Sequence, residues 1–272
     1  MEKQVDQIAS ALGALPELSP EIHKELERLS KRPYILLPKV ESCHIFLEEC
    51  RLGRAHGRIV GDSGVGKTIS AKAYSKRLAE ASTEKNVIYT ILNPNCTPKE
   101  FYEKILEALG FTYTKGSIKF LRNRACQVLS RRQISVLFID EASFLKMDAI
   151  GELIYLEESE VVPSIFLIGT DRLDTLLSGN EQVARRYPRY QYGRLHDKEL
   201  KDVVDLWEQK VLQLPVKSNL KYKAKLNVIT KATSGCLGEI DQLLRRAARK
   251  ALILGESKIS LNILREVAGQ FE

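Results

Sequence analysis

Eight consecutive residues, Gly61-Asp62-Ser63-Gly64-Val65-Gly66-Lys67-Thr68, satisfy G-x-x-x-x-G-K-[ST] at every fixed position. The glycines let the backbone curl round an anion with its N–H groups turned inward. A helix opening at the same point adds partial positive charge. Lys67 is then placed to reach the β- and γ-phosphates of ATP, and the Thr68 hydroxyl to hold Mg²⁺. Such a loop works between a strand and a helix. Arg58-Ile59-Val60 reads as the strand and residues 67–82 as the helix. All eight residues, Gly61, Asp62, Ser63, Gly64, Val65, Gly66, Lys67 and Thr68, are therefore expected to touch the nucleotide.

The loop sits at the start of a repeated rhythm. Residues 87–92, 134–139 and 164–169 are continuous β-branched and apolar runs, the pattern of strands buried on both faces. A short fourth strand is predicted at 190–192. Between the runs lie helical patterns at 98–109, capped by Thr97 with Pro98 in the first turn, and at 117–132 and 148–158. Strands alternating with helices predict an α/β fold with a parallel sheet sandwiched by helices. From about residue 197 the strand signals stop. Helical patterns at 197–213, 219–233, 238–254 and 259–270 predict a small α-helical domain. Before the sheet, residues 40–54 read as an amphipathic helix. Residues 1–32 read as a helical lead-in broken at Pro16 and Pro20, with Ser19 placed to cap a helix over 20–31. The expected division is 1–32, 33–196 and 197–272.

Two further groups belong with the loop. The apolar run Val136-Leu137-Phe138-Ile139 ends in Asp140-Glu141. Asp140 is placed for the Mg²⁺ shell and Glu141 to orient and polarise an attacking water. Residues 87–92 separate this pair from the loop in sequence, which predicts the topology with a strand inserted between the two motif strands. Thr170 ends the next strand, where a hydroxyl either senses the γ-phosphate or caps the following turn.

Composition narrows the classes. No apolar run approaches the roughly 18–20 residues of a membrane span. The opening MEKQVDQIAS lacks the design of a signal peptide, so a cytoplasmic protein with no membrane partner is expected. Five cysteines, an odd number with no C-x-x-C pair, argue against a disulfide framework or zinc site and for small buried hydrophobes. The net charge of +7 permits a polyanionic partner without requiring one.

The order GDSGVGKT, LFIDEA, IFLIGT resembles the AAA+ ATPases, P-loop NTPases with a small α-helical lid domain after the core. The resemblance covers most of residues 35–255. It implies a homo-oligomer, ring or helical filament, in which a neighbour's arginine completes each site. Ala184-Arg185-Arg186-Tyr187 resembles the finger segment of that family. Arg186 is the first choice, then Arg185, with Arg189 further back. The segment GTDRLDTLLSGNEQVARRYPRYQYGRL and the lid segment from Thr233 to Leu244 resemble the transposition ATPases of the TniB/TnsC type, related to the phage Mu B protein. The sensor arginine that such lids often carry is replaced here by Gly238-Glu239, leaving Arg245 or Arg246 as substitutes.

The finer resemblance implies a protein that polymerises on duplex DNA when loaded with ATP, recruits a transposase and disassembles on hydrolysis. Target-selection accessory proteins belong to the same picture. Such proteins occur in ordinary and in CRISPR-associated transposons, and the compact length points to the minimal kind. DNA contacts are expected to go to phosphates rather than bases. Lys99, Ser117, Lys119 and Arg122 are the candidates, on segments opening the helices after residues 87–92. A helicase loader or initiator shares the same core, and so does a nucleotide-gated protein scaffold.

Overall fold

The computed structural model describes residues 19–31, 33–81, 86–112, 114–157 and 163–271. The lead-in expected before Ser19 lies outside them, as do the predicted helix ends at Ser82 and Glu158. Two compact units emerge, one over 36–194 and one joining residues up to 35 with those from 195 onward.

Helix α1 (Pro20–Arg28) starts at Ser19, whose hydroxyl accepts the Ile22 N–H. In the larger unit, α2 (Pro38–Leu52) leads to β1 (Gly57–Val60), α3 (Lys67–Ala81) and β2 (Val87–Ile91). Next come α4 (Pro98–Ala108), α5 (Ile118–Arg131) and β3 (Val136–Asp140). A 3₁₀ turn, Ala142–Phe144, precedes α6 (Met147–Ile150), α7 (Glu152–Glu157) and β4 (Ser164–Gly169). Helices α8 (Asp171–Ser178) and α9 (Glu181–Arg186) then lead to β5 (Arg189–Gln191). Caps explain several starts. Thr97 forms a full capping box with Glu100 at the head of α4, and Ser117 accepts the Phe120 N–H at the head of α5.

All five strands are parallel, in the order β2-β3-β4-β1-β5. The expected inserted-strand arrangement is present: β4 lies between β1 and β3, and the run 87–91 takes the sheet edge, because the crossover from β1 passes over two strands before reaching β2. Strand alternation divides the core in two. Val60, Leu137, Ile139, Ile165 and Leu167 face one layer with α4 and α5. Ile59, Val136, Phe138, Phe166 and Ile168 face the other with α2 and α3. All five residues of β3 and all six of β4 are buried, so the central strands read as unbroken apolar runs.

In the smaller unit, α10 (Asp197–Trp207) continues as a π turn, Glu208–Leu212, where one unbroken helix to 213 is expected. Gln213 in the left-handed region (φ 45°) ends it. Then come α11 (Lys223–Thr233), α12 (Leu237–Ile253) and α13 (Leu261–Ala268). Helix α1 belongs to this unit. The Arg28 guanidinium donates to Val211 O at 2.9 Å and Leu212 O at 2.6 Å. Arg245 donates to Leu29 O and Lys31 O, each at 2.8 Å, and pairs with Asp241 at 2.6 Å. Arg245 is therefore a buried clamp, 6% exposed, and the expectation that it substitutes for a lid sensor is withdrawn. No helix among the described residues is long and apolar enough to cross a membrane. Cys43, Cys50, Cys96 and Cys236 are buried and Cys126 is partly buried, and none of the five is in a disulfide.

Candidate functional site

The sheet brings three sequence-distant elements to one edge. β1 ends at Val60 and pairs there with Gly169 of β4, while β3 ends at Asp140 opposite Ile91. The phosphate loop, the carboxylate pair and Thr170 thus leave the carboxyl ends of adjacent strands β1, β3 and β4. In open parallel sheets ligands bind at that edge.

Residues 61–66 turn from β1 into α3. Gly64 and Gly66 hold φ values of 78° and 109°, a region that side chains rarely enter. Gly61 is needed for a different reason. A Cβ there would lie 2.2 Å from Tyr192 O. The loop is fastened from outside by Arg194, whose Nε donates to Asp62 Oδ2 at 2.6 Å. Val65 is fully buried and anchors the turn in the core. The Lys67 ammonium is held over the loop by bonds to Gly61 O at 2.7 Å and Asp62 O at 2.6 Å. Burial lowers its pKa, opposed by the charges of Glu141, Asp140, Asp62 and Asp171.

Asp140 is 2% exposed. Its Oδ1 accepts the Glu141 N–H at 2.9 Å and its Oδ2 accepts the Tyr89 hydroxyl at 2.8 Å. Burial, and then the Asp140 charge, push the Tyr89 phenol well up. Glu141 adopts the left-handed conformation (φ 57°, ψ 33°). For a residue with a side chain this costs about 1–3 kcal/mol and recurs at functional sites. The kink turns Glu141 out of the strand line while Asp140 stays in it.

Thr170 stands at the N-cap of α8, but its hydroxyl makes no capping bond. It donates instead to Ser143 Oγ at 3.1 Å, which also accepts the Thr170 N–H at 2.8 Å. Ser143 in turn donates to Thr170 O at 3.4 Å. A Cβ on Gly169 would lie 2.4 Å from the same Ser143 oxygen, so glycine is what lets the two elements close. Ser143, Tyr89 and Arg194 are site residues that the motifs did not flag. Tyr89 was visible only as one member of a strand, and Arg194 lies far from the loop in sequence. Ser143 follows Glu141 by two positions, but nothing local reveals that it meets Thr170.

The donor set fits Mg²⁺, which takes hard oxygen ligands such as a hydroxyl and a carboxylate. Thr68, in the first turn of α3, and Asp140 would hold it.

The sequence matches the AAA domain family over residues 50–177, which contain the loop, both carboxylates and Thr170. Among solved structures, the Aeropyrum pernix ORC2 protein in its ADPNP–ADP complexes superposes with a TM-score of 0.66. The identity is 16%, covering 89% of this chain and 71% of that one. The Aeropyrum pernix ORC1 protein in complex with DNA gives 0.61 at 18% identity, covering 91% and 69%. The Thermotoga maritima RuvB Holliday junction branch migration motor gives 0.56 at 17%, covering 89% and 73%. The fold is that of the AAA+ P-loop NTPases. No curated protein matches the chain in sequence.

Within this AAA+ fold the finger candidates fall on α9 and β5. Arg185 is exposed and pairs with Glu181 one helical turn earlier. Arg186, half exposed, pairs with the largely buried Glu157 of α7. Arg189 bridges Asp171 at 3.3 Å and Asp174 at 2.6 Å on α8, and Asp174 also takes Arg58 at 2.6 Å. The four phosphate-contact candidates divide. Lys119 is exposed, beside exposed Ile118 and Phe120. Lys99 is 49% exposed and lies 3.8 Å from Glu103. Ser117 caps α5. Arg122 grips Glu152 through two bonds, 2.8 and 2.7 Å, and lies 3.8 Å from the Tyr155 ring centroid. Its partner Glu152 also accepts the buried Tyr102 hydroxyl at 2.7 Å. Arg122 is thus a structural brace between α5 and α7.

Proposed function

We propose that this chain is a Mg²⁺-dependent ATPase that acts on DNA. The observation that carries the reading is the convergence of loop, carboxylate pair and Thr170 on β1, β3 and β4 at one sheet edge. In this reading the loop N–H groups and Lys67 cradle the β- and γ-phosphates of ATP. Glu141 orients the attacking water and draws off its proton. Thr170, held by Ser143, places that water against the γ-phosphate. Mg²⁺, when bound, shields the charge of the triphosphate oxygens. An arginine from a neighbouring copy, Arg186 or Arg185, neutralises charge as the γ-phosphate leaves. Activity then depends on assembly.

Within that class, the sequence segments from Gly169 to Leu195 and from Thr233 to Leu244 support a regulator of transposition. It would polymerise on duplex DNA through Lys99, Ser117 and Lys119, recruit a transposase and disassemble on hydrolysis. One observation favours a second reading, that of an initiator or helicase loader. The ORC structures named above share the fold across about nine-tenths of this chain. The test is ATP hydrolysis with and without duplex DNA, imaging the same samples by negative-stain electron microscopy. Filaments on duplex that require ATP and shorten with turnover support the transposition regulator. A response to single strands or an origin-like partner, without filaments, supports the initiator. Glu141→Gln is expected to keep ATP binding, to slow turnover by about 10²–10⁴-fold, and to trap the DNA-bound assembly. An assembly that disperses as fast as wild type removes hydrolysis from the scheme.

A further inference from the structure

The smaller unit carries a basic pocket that neither the nucleotide site nor the expected DNA residues use. Its volume is about 240 Å³, and it is lined by Lys217, Asn219, Tyr222, Lys225 and Lys258, among others. Two loops form its walls, and they are stitched together. Val216 N donates to Ser257 O at 3.1 Å, and Ile259 N donates to the buried Ser218 Oγ at 2.8 Å. Lys225 ties the floor by donating to Ser218 O at 2.5 Å and Ile259 O at 2.6 Å. Lys217 and Lys258 are therefore held on opposite rims of a built frame.

The charges are unbalanced. Lys221 pairs with Asp205 at 3.1 Å. The nearby Glu208 is occupied by the backbone N–H groups of Asn219 and Leu220. Lys217 and Lys258 are exposed and have no acidic partner among the described residues. The pocket lies at the head of α11, where the N-cap residue Tyr222 makes no side-chain cap. Tyr222 itself is 62% exposed. Two unpaired lysines on opposite rims and an exposed aromatic ring form a surface for a phosphodiester backbone with a sugar or base against the ring.

We propose that this pocket binds backbone phosphates of nucleic acid, as a second contact separate from α4 and α5. This rests on the reading that the chain acts on DNA. The contact is independent of sequence and adds to the salt dependence of binding.

The test uses the full chain and a fluorescent duplex, titrated across a salt series with a non-hydrolysable ATP analogue. A Lys217→Ala/Lys258→Ala variant should bind at least tenfold more weakly at low salt. Its slope of log K against log salt should flatten by up to about 1.8, since each lost phosphate contact removes about 0.9. Tyr222→Ala should weaken binding with the slope unchanged. Binding of a fluorescent ATP analogue by both variants should match wild type. Wild-type salt slope and affinity in the double variant overturn the proposal while leaving the proposed function standing. Loss of binding in Lys67→Ala alone, with the double variant unaffected, leads to the same conclusion. If the double variant loses binding of inorganic phosphate or triphosphate but keeps DNA binding, the ligand is a free phosphate compound and the nucleic-acid assignment fails.

Discussion

Single side chains set the geometry of the proposed catalytic site. Ser143 is the clearest case, because its one oxygen receives both the N–H and the hydroxyl of Thr170. Removing that oxygen leaves Thr170 free to turn. Ser143→Ala is expected to lower kcat to the level of Thr170→Ala with KM for ATP nearly unchanged, and the double variant should be no slower than either. Additive losses in the rates would show that the two residues act separately. A pH effect also belongs at this scale. His44 Nε2 donates to Ser70 O at 2.9 Å, and His56 Nδ1 accepts the Ile165 N–H at 3.1 Å. Burial lowers both pKa values from the usual 6.5. Above 6.5 both imidazoles are neutral in the folded and unfolded chain alike. Below it the unfolded chain takes up protons that the folded one refuses, so stability falls with pH. The urea midpoint should drop between about pH 7 and about pH 5, and substituting both histidines with glutamine should flatten that drop.

Elements decide how far the sequence could be read. The buried strands and capped helices were legible because their signals are local: unbroken apolar runs for β3 and β4, and Ser19, Thr97 and Ser117 at helix starts. Helices α8 and α9 were not anticipated within the stretch between β4 and β5. Eight and six residues long, they are too short to show a helical period, and each owes its place to packing of Leu173, Leu177 and Val183 in the core. Strand order was half legible for the same reason. A motif announces its own strand but not its neighbour. Arg122 shows how a charge can mislead. In sequence it belongs to a basic cluster, yet on α5 it neutralises Glu152, whose side chain is only 9% exposed. Arg122→Ala should therefore cost about 3–5 kcal/mol of stability, as when one partner of a buried pair is removed. Thermal unfolding measures this. Lys119→Ala should leave the midpoint unchanged and weaken DNA binding. A fully stable Arg122→Ala protein would return that arginine to the DNA surface.

At the scale of the whole molecule, the proposed activity is not contained in one chain. The loop, carboxylates and Thr170 are internal, whereas Arg185 and Arg186 lie at the end of α9. Mixing gives the test. Arg186→Ala should bind ATP and fail to turn it over, and Lys67→Ala should fail to bind it. A mixture of the two should recover part of the activity, because an intact loop then meets an intact arginine. No recovery at any ratio, with Arg185→Ala also fully active, would place the completing group elsewhere. The hairpin of α8 and α9 has a mechanical meaning here. It starts directly after Thr170 and finishes on the two arginines, and Leu173, Leu177, Val183 and Tyr187 lock it into a single core. A tilt imposed at one end must reappear at the other. In the proposed assembly the hairpin would serve as a rocker arm: what a subunit detects at its own triphosphate would set the posture of the charge it offers next door, and turnover along the assembly would acquire a direction.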